Sequence, residues 1–190
     1  YIYTWTSTNG FTSATQDINN LPLGDYTVLV TDTNSCGPKT AMFTITQPPI
    51  LEVTLNNQTN VDCYGFSTGA IDINILGGTA PYSYAWSNGE LTEDISNIPA
   101  GQFEVVVTDS LGCVQNLGVT ITQSPEIIID VVTTPIVCYG DNNATLNAMI
   151  SGGVAPYQYQ WSHLATSLNL TNLSPGDYVI TVTDNVECQK

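Results

Sequence analysis

Between residues 69 and 76 the chain reads GAIDINIL, with Ile71, Ile73 and Ile75 alternating against Asp72 and Asn74. GQFEVVVTD (101–109) places Phe103, Val105 and Val107 on one face, and LGVTITQ (117–123) does the same with Val119 and Ile121. Alternation of period two in runs of Val, Ile, Thr and aromatics is the mark of half-buried strands. Between the runs lie GG, SNG and PAG, whose Gly, Asn and Pro supply the backbone angles of tight turns. No segment repeats apolar residues at i, i+3, i+4 and i+7 over three turns, so the pattern predicts an all-β protein.

The pattern also recurs. GGTAPYSYAWSNG (77–89) returns 75 residues later as GGVAPYQYQWSHL, and YIYTW at the start is a truncated trace of the same hairpin. Anchors keep their spacing: Gly24, Gly101 and Gly176, the aromatics Tyr26, Phe103 and Tyr178, the aspartates Asp32, Asp109 and Asp184, and the cysteines Cys36, Cys113 and Cys188 all recur at 77 and 75. Trp5, Trp86 and Trp161 recur at 81 and 75, because the first copy is four residues longer between Trp and Gly. Insertions confined to loops between fixed anchors are what a repeated fold predicts. The expected domains are 1–49 as the C-terminal part of a repeat, 50–125 as a complete module and 126–190 as a nearly complete one.

About 75 residues with six or seven short strands suits a small immunoglobulin-like β-sandwich. So small a core needs a bulky plug in every copy. Trp5, Trp86, Trp161, Tyr26, Phe103 and Tyr178 are the expected core aromatics. Tyr82, Tyr84 and Trp86 share one strand face, and the i, i+2 spacing favours the inside; the alternative is a sugar-stacking platform. Pro81 and Pro156 open this strand, where a missing donor is tolerated.

Five cysteines add a constraint. Cys63 to Cys113 is 50 residues, and Cys138 to Cys188 is again 50. The preferred expectation is one disulfide per module, Cys63–Cys113 and Cys138–Cys188, with the partner of Cys36 ahead of residue 1. Such a staple keeps each module independently foldable. The rival joins neighbours, Cys36–Cys63 and Cys113–Cys138; sequence alone does not decide connectivity. The lone His163 and the absence of any C-x-x-C argue against zinc, and no histidine recurs near a cysteine to activate a thiol. Disulfides imply an oxidising, extracellular compartment.

Composition then narrows the partners. Seventeen acids face two bases, Lys39 and Lys190, with no arginine, for a net charge of -15. Phosphate contacts require the Lys and Arg that are missing, which excludes nucleic acid and argues against anionic lipid headgroups. No run of 18 apolar residues is present, so no membrane-inserted segment is expected. No signal peptide is visible, and residue 1 falls inside a repeat, which suggests an internal piece of something longer.

The segment GGTAPYSYAWSNGELTEDISNIPAGQFEVVVTDSLGC and its copy at 152–188 resemble the SprB-type repeat. The likeness rests on the blocks GG-x-x-PY-x-Y-x-W, L/I-x-x-G-x-Y/F and VTD-x-x-x-C. SprB-type repeats fill large cell-surface adhesins of gliding bacteria in the Bacteroidetes. A weaker likeness is to PKD-like sandwich modules, spacers of secreted proteins. The resemblance implies export by the type IX route, display on the outer surface, contact with the export and gliding machinery, and no catalytic residues.

Candidate sites are few. Glu93 and Asp94 adjoin, but no such acid pair recurs in the third copy. Asp32, Asp109 and Asp184 end a strand before a turn, where a carboxylate accepts backbone N–H groups in an Asx-turn. Calcium is the sharper alternative, although no EF-hand ligand run is present. DSL at 109–111 resembles a short O-glycosylation motif, with Ser110 as acceptor. ITQPPILEV (45–53) and ITQSPEIII (121–129) run from one module almost directly into the next. Tandem modules joined so would form an elongated rod: a stapled stalk of a surface adhesin, partnered by further copies of itself. The alternatives are a polysaccharide-binding module and a spacer in a secreted hydrolase. An enzyme is not expected.

Overall fold

The computed structural model describes residues 1–34 and 37–190, so Cys36 lies outside the described residues. Among them every regular element is a strand, and these fall into two compact units: Tyr1–Ile50 with Gly77–Thr79, and Leu51–Leu76 with Ala80–Lys190.

The first unit holds one antiparallel sheet. Its strands are β1 (Ile2–Ser7), β2 (Thr12–Ser13), β3 (Gly24–Thr31) and β4 (Lys39–Ile45), in the order β2-β1-β3-β4. Alternation along β3 buries Tyr26 and Val28. Phe11 meets the Tyr26 ring edge-on at 5.8 Å, and Trp5 packs against Phe43 at 6.1 Å. No second sheet of this unit covers these rings among the described residues. Trp5 is therefore only half-buried, and Met42, Phe43 and Ile45 on β4 are exposed.

The second unit begins with β5 (Glu52–Thr59), β6 (Gly69–Leu76), β7 (Ser83–Trp86), β8 (Ile95–Ile98), β9 (Gly101–Thr108) and β10 (Val114–Ile121). They form two three-stranded sheets, β5-β6-β8 and β10-β9-β7. Ile71, Ile73, Ile95 and Ile98 of one meet Trp86, Phe103, Val105, Val107, Val119 and Ile121 of the other in one core. This is a β-sandwich of six strands, immunoglobulin-like in its two facing antiparallel layers. Past β5 the chain crosses to the other sheet, where Val61 pairs in parallel with Gln123 beyond the end of β10.

The same plan follows in β11 (Ile128–Thr134), β12 (Ala144–Ser151), β13 (Gln158–Trp161), β14 (Asn169–Leu173) and β15 (Ile180–Thr183). Here the sheets are β11-β12-β14 and β13-β15, around cores containing Trp161, Leu170, Leu173 and Val182. The one-residue difference between the paired strands β5–β6 and β11–β12 is absorbed at Asn56, where β5 carries a bulge between Leu55 and Asn57.

Each plug is anchored as well as packed. The indole N–H of Trp86 donates to the Thr92 carbonyl (2.9 Å), that of Trp161 to Ser167 (2.8 Å), and that of Trp5 to Thr15 (3.1 Å). The acceptor lies six residues on in two copies and ten in the first. The four extra residues of the first copy therefore sit inside this loop, which carries β2.

Candidate functional site

The chemistry-bearing residues of the second unit gather where one sandwich meets the next. The linker after β10 is tied first to its own sandwich. Val61 N–H donates to the Thr122 carbonyl (2.9 Å), Thr122 N–H to Asn60 Oδ1 (2.9 Å), and Gly65 N–H to Gln123 Oε1 (2.9 Å). It is then gripped by the following GG turn. Gly153 N–H donates to the Pro125 carbonyl (3.1 Å), and a Cβ at Gly152 would stand 1.8 Å from the Glu126 carbonyl oxygen. Only glycine admits that approach at φ +71. Gly77 against Ile50 repeats the arrangement, at 1.9 Å and φ +66.

The turn after β15 is organised by Asp184. Its Oδ1 accepts the N–H groups of Val186 (3.0 Å) and Cys188 (2.9 Å), and its Oδ2 accepts Val154 N–H (3.0 Å). Asp109 does the same for Leu111 (2.9 Å) and Cys113 (2.8 Å), and Asp32 Oδ1 accepts Asn34 N–H (3.1 Å). The aspartates of the VTD blocks are thus Asx-turn acceptors, and in two copies the turn presents a cysteine from a fixed backbone. Asp109 and Asp184 are both buried, their carboxylates occupied by these backbone donors.

The cysteines pair differently from the preferred expectation. Cys63, in the loop after β5, is bonded to Cys188, 125 residues away, with Cα atoms 5.5 Å apart. Cys113 and Cys138 are free and exposed. Both expected intramodule bonds, Cys63–Cys113 and Cys138–Cys188, are therefore absent, and so are the rival pairs Cys36–Cys63 and Cys113–Cys138. The reason is strand direction. Cys113 precedes β10, whereas Cys63 lies two residues past Val61, which pairs beyond its far end. Eight residues of strand separate the two ends by roughly 26 Å. A disulfide requires Cα atoms within about 7 Å. Two cysteines at opposite ends of one sandwich cannot meet, but the far end of one sandwich and the near end of the next can.

Around the bond, Cys63 and Cys188 pack with Ile127, Ile129, Val182 and Ile150, while Val61, two residues before Cys63, is buried in the core of the preceding sandwich. A surface ion pair, Lys190 Nζ to Glu126 Oε1 at 2.9 Å, closes the rim; exposed on both sides, it adds little.

The remaining candidates have structural roles. Trp86, Trp161, Tyr26 and Phe103 are buried, while Trp5 and Tyr178 are half-buried. Tyr82 and Tyr84 lie half-buried against the core, with Ser83 and Ala85 facing out. Tyr84 Oη donates to Glu93 Oε2 (3.1 Å), and its phenol is pushed up to about 12, by burial first and then by that bond and the Glu93 charge. Asp94 Oδ1 accepts Ile73 N–H (3.0 Å), and Asn169, 75 residues on, accepts Ala148 N–H (3.1 Å). Sequence reasoning missed this pair. The signal was available, because an Asp that exchanges with Asn at the repeat interval is an acceptor and not an acid. His163 stands edge-on to Tyr178 at 5.3 Å. Ser110 is exposed in the turn held by Asp109. Among the described residues no group of three His, Cys, Asp or Glu side chains is placed to hold a metal, and no helix is long and apolar enough to cross a membrane.

Comparison with known proteins adds a family match over part of the chain. The family model of the SprB repeat matches twice, at residues 55–91 and 131–166. No curated protein matches the chain. Among solved structures, the three N-terminal domains of the bacteriophage RB49 highly immunogenic outer capsid protein (Hoc) are similar at 19% identity and a TM-score of 0.48, covering 87% of this chain and 67% of that one.

Proposed function

From a chain that carries two copies of the SprB repeat, we propose a non-catalytic stalk segment of a secreted cell-surface adhesin, used in adhesion and gliding. Its modules are 1–49 (partial), 50–125 and 126–190. They hold a distant adhesive region away from the cell and transmit tension to the gliding machinery. Export by the type IX route and outer-surface display belong to the same reading, supported by the repeat family. The packing of Tyr82 and Tyr84 against the core favours a spacer over a sugar-stacking platform.

The observation that carries the proposal is the Cys63–Cys188 bond. When the chain is pulled through its ends, tension enters at Cys63, crosses the sulfur bridge and leaves at Cys188. The strands from β6 to β15 are bypassed and cannot lengthen even if they unfold, while β5, ahead of Cys63, stays in the path of tension.

Single-molecule pulling through residues 1 and 190 tests this. Without reductant, only the chain outside the bridge should extend. With reductant the same molecule should gain the length of 125 further residues, roughly 400–450 Å. Release of that length without reductant would refute the tension-bearing staple. A glycan array probed with the wild-type chain and Tyr84→Ala addresses the polysaccharide reading; binding lost in the variant would replace the spacer with a lectin-like module.

A further inference from the structure

The Cys63–Cys188 bond joins a loop cysteine of one repeat to a turn cysteine of the following repeat. Cys138 stands 75 residues after Cys63, and Cys113 stands 75 before Cys188. Each free thiol is thus the repeat-shifted counterpart of a bonded one. The turns are congruent: Asp109 N–H donates to the Cys113 carbonyl at 3.0 Å and Asp184 N–H to that of Cys188 at 2.9 Å. Their carboxylates hold the cysteine N–H groups at 2.8 and 2.9 Å. Cys113 is presented as Cys188 is, without a partner.

The loop cysteines differ in what covers them, and the Cys63 loop is also tied down by Thr122 and Gln123. Beside Cys63, Val61 is 2% exposed and the sulfur packs with Ile127 and Val182 of the following sandwich. At the positions 75 residues on, beside Cys138, Ile136 is half-buried where Val61 is buried, Tyr139 is fully exposed where Tyr64 is 51% exposed, and Val137, the counterpart of the exposed Asp62, is 84% exposed. Val137 and Tyr139 stand with Cys138 over a hollow also lined by Ile136 and Pro175. The filled junction shows what fits this end of a repeat: the Asp-held turn of another copy.

We propose that Cys138 bonds to the turn cysteine of a following copy, and Cys113 to the loop cysteine of a preceding one. Every module would then carry two staples, each shared with a neighbour. The bond at 63–188 and one starting at 138 overlap, since 138 falls inside the first loop. Overlapping loops leave no part of the repeat array outside a cross-link, so the fibre becomes covalently inextensible. Each bond forms by oxidation of two thiols. Two electrons and two protons pass to a disulfide oxidant of the export compartment, which is reduced to its dithiol. The inference rests on the tandem arrangement of the stalk reading but not on adhesion or gliding. A glycan array that turned the spacer into a lectin-like module would leave the pairing standing, and a failed pairing at Cys138 would leave the Cys63–Cys188 stalk standing.

The test is the full chain extended after Lys190 by a second copy of residues 116–190, which continues the repeat register. The added copy carries Cys138→Ser, so that it brings only a turn cysteine, and Val186→Ile as a mass tag. Oxidised protein is cleaved at acidic residues and its disulfides mapped by mass. The expected result is Cys63–Cys188 together with Cys138 bonded to the tagged turn cysteine. Cys138 should react fully with maleimide in the original chain and lose that reactivity at least tenfold in the extended one. The Cys63–Cys188 peptide reports correct folding in the same sample. Cys138 remaining a thiol, bonding to Cys188 of its own copy, or linking separate molecules would each overturn the proposal.

Discussion

Tyr26 and Tyr178 each donate their hydroxyl to the carbonyl four residues upstream, Pro22 at 2.7 Å and Ser174 at 3.0 Å. This is the corner by which a tyrosine pins the start of its strand. The middle copy has Phe103 there, buried, with Pro99 at the matching acceptor position. Phe103→Tyr should therefore stabilise the fold by about 0.5–1.5 kcal/mol, read as a shift in the denaturant midpoint at unchanged slope. Tyr84 makes a different prediction. An unfolded phenol ionises near 10, whereas the folded one is pushed up to about 12. The folded chain thus keeps its proton where the unfolded chain loses it. The stability this contributes is complete below about pH 10 and is lost as pH rises towards 12. Glu93→Gln should bring the tyrosinate absorbance step part of the way back towards 10, because burial, the larger cause, remains; Tyr84→Phe should remove the step. The aromatic plugs were legible in the sequence because they keep strand spacing and recur. Their degree of burial was not, since among the described residues Trp86 has a second sheet opposite it and Trp5 has none.

The strands were equally legible, their period-two runs coinciding with β6, β9 and β10. The cysteine pairing was not, and the reason is instructive. Equal intervals of 50 record that the repeats are alike; they carry no information about which end of a sandwich each loop occupies. That depends on strand direction: the loop after β5 and the turn before β10 sit at opposite ends of the same sandwich. Once the chain is known to cross between the sheets after β5, a bond between successive copies is the geometry that remains. The GG turn was likewise visible as a turn but not as a clamp. Its first glycine faces the incoming linker, with a Cβ position 1.8 Å from the Glu126 oxygen at Gly152. Gly152→Ala should cost about 1–3 kcal/mol for the left-handed conformation alone, and more as the linker is displaced. Gly118→Ala in β10, at ordinary φ with open space around it, is the matched control and should be near neutral. Thermal unfolding of both variants separates a clamp from a generic strand effect.

At the scale of the whole molecule, the sulfur bridge decides how two small sandwiches behave as one body. Each has a core of modest size, and small domains bury too little apolar area for large stability margins. Closing a loop of 125 residues adds about 5 kcal/mol in the chain-entropy model, more than a 50-residue loop by only about 0.8 kcal/mol. What the longer loop changes is which parts are coupled. A bond inside each module would stabilise that module alone, whereas this one ties the loop after β5 to the turn after β15 and so closes β6 to β15, strands of both sandwiches, in one ring. Cys63→Ser and Cys188→Ser should therefore each lower stability by up to about 5 kcal/mol. The loss should appear both in the sandwich containing Trp86 and in that containing Trp161. Cys113→Ser and Cys138→Ser, exposed and unbonded in this chain, should each change it by less than about 0.5 kcal/mol. Denaturant unfolding followed by tryptophan fluorescence, with Trp86→Phe and Trp161→Phe backgrounds to separate the two signals, measures all four. The opposite pattern, with Cys113→Ser costly and confined to the Trp86 signal, would mean that each module closes on itself and that tension runs through the cores instead of around them.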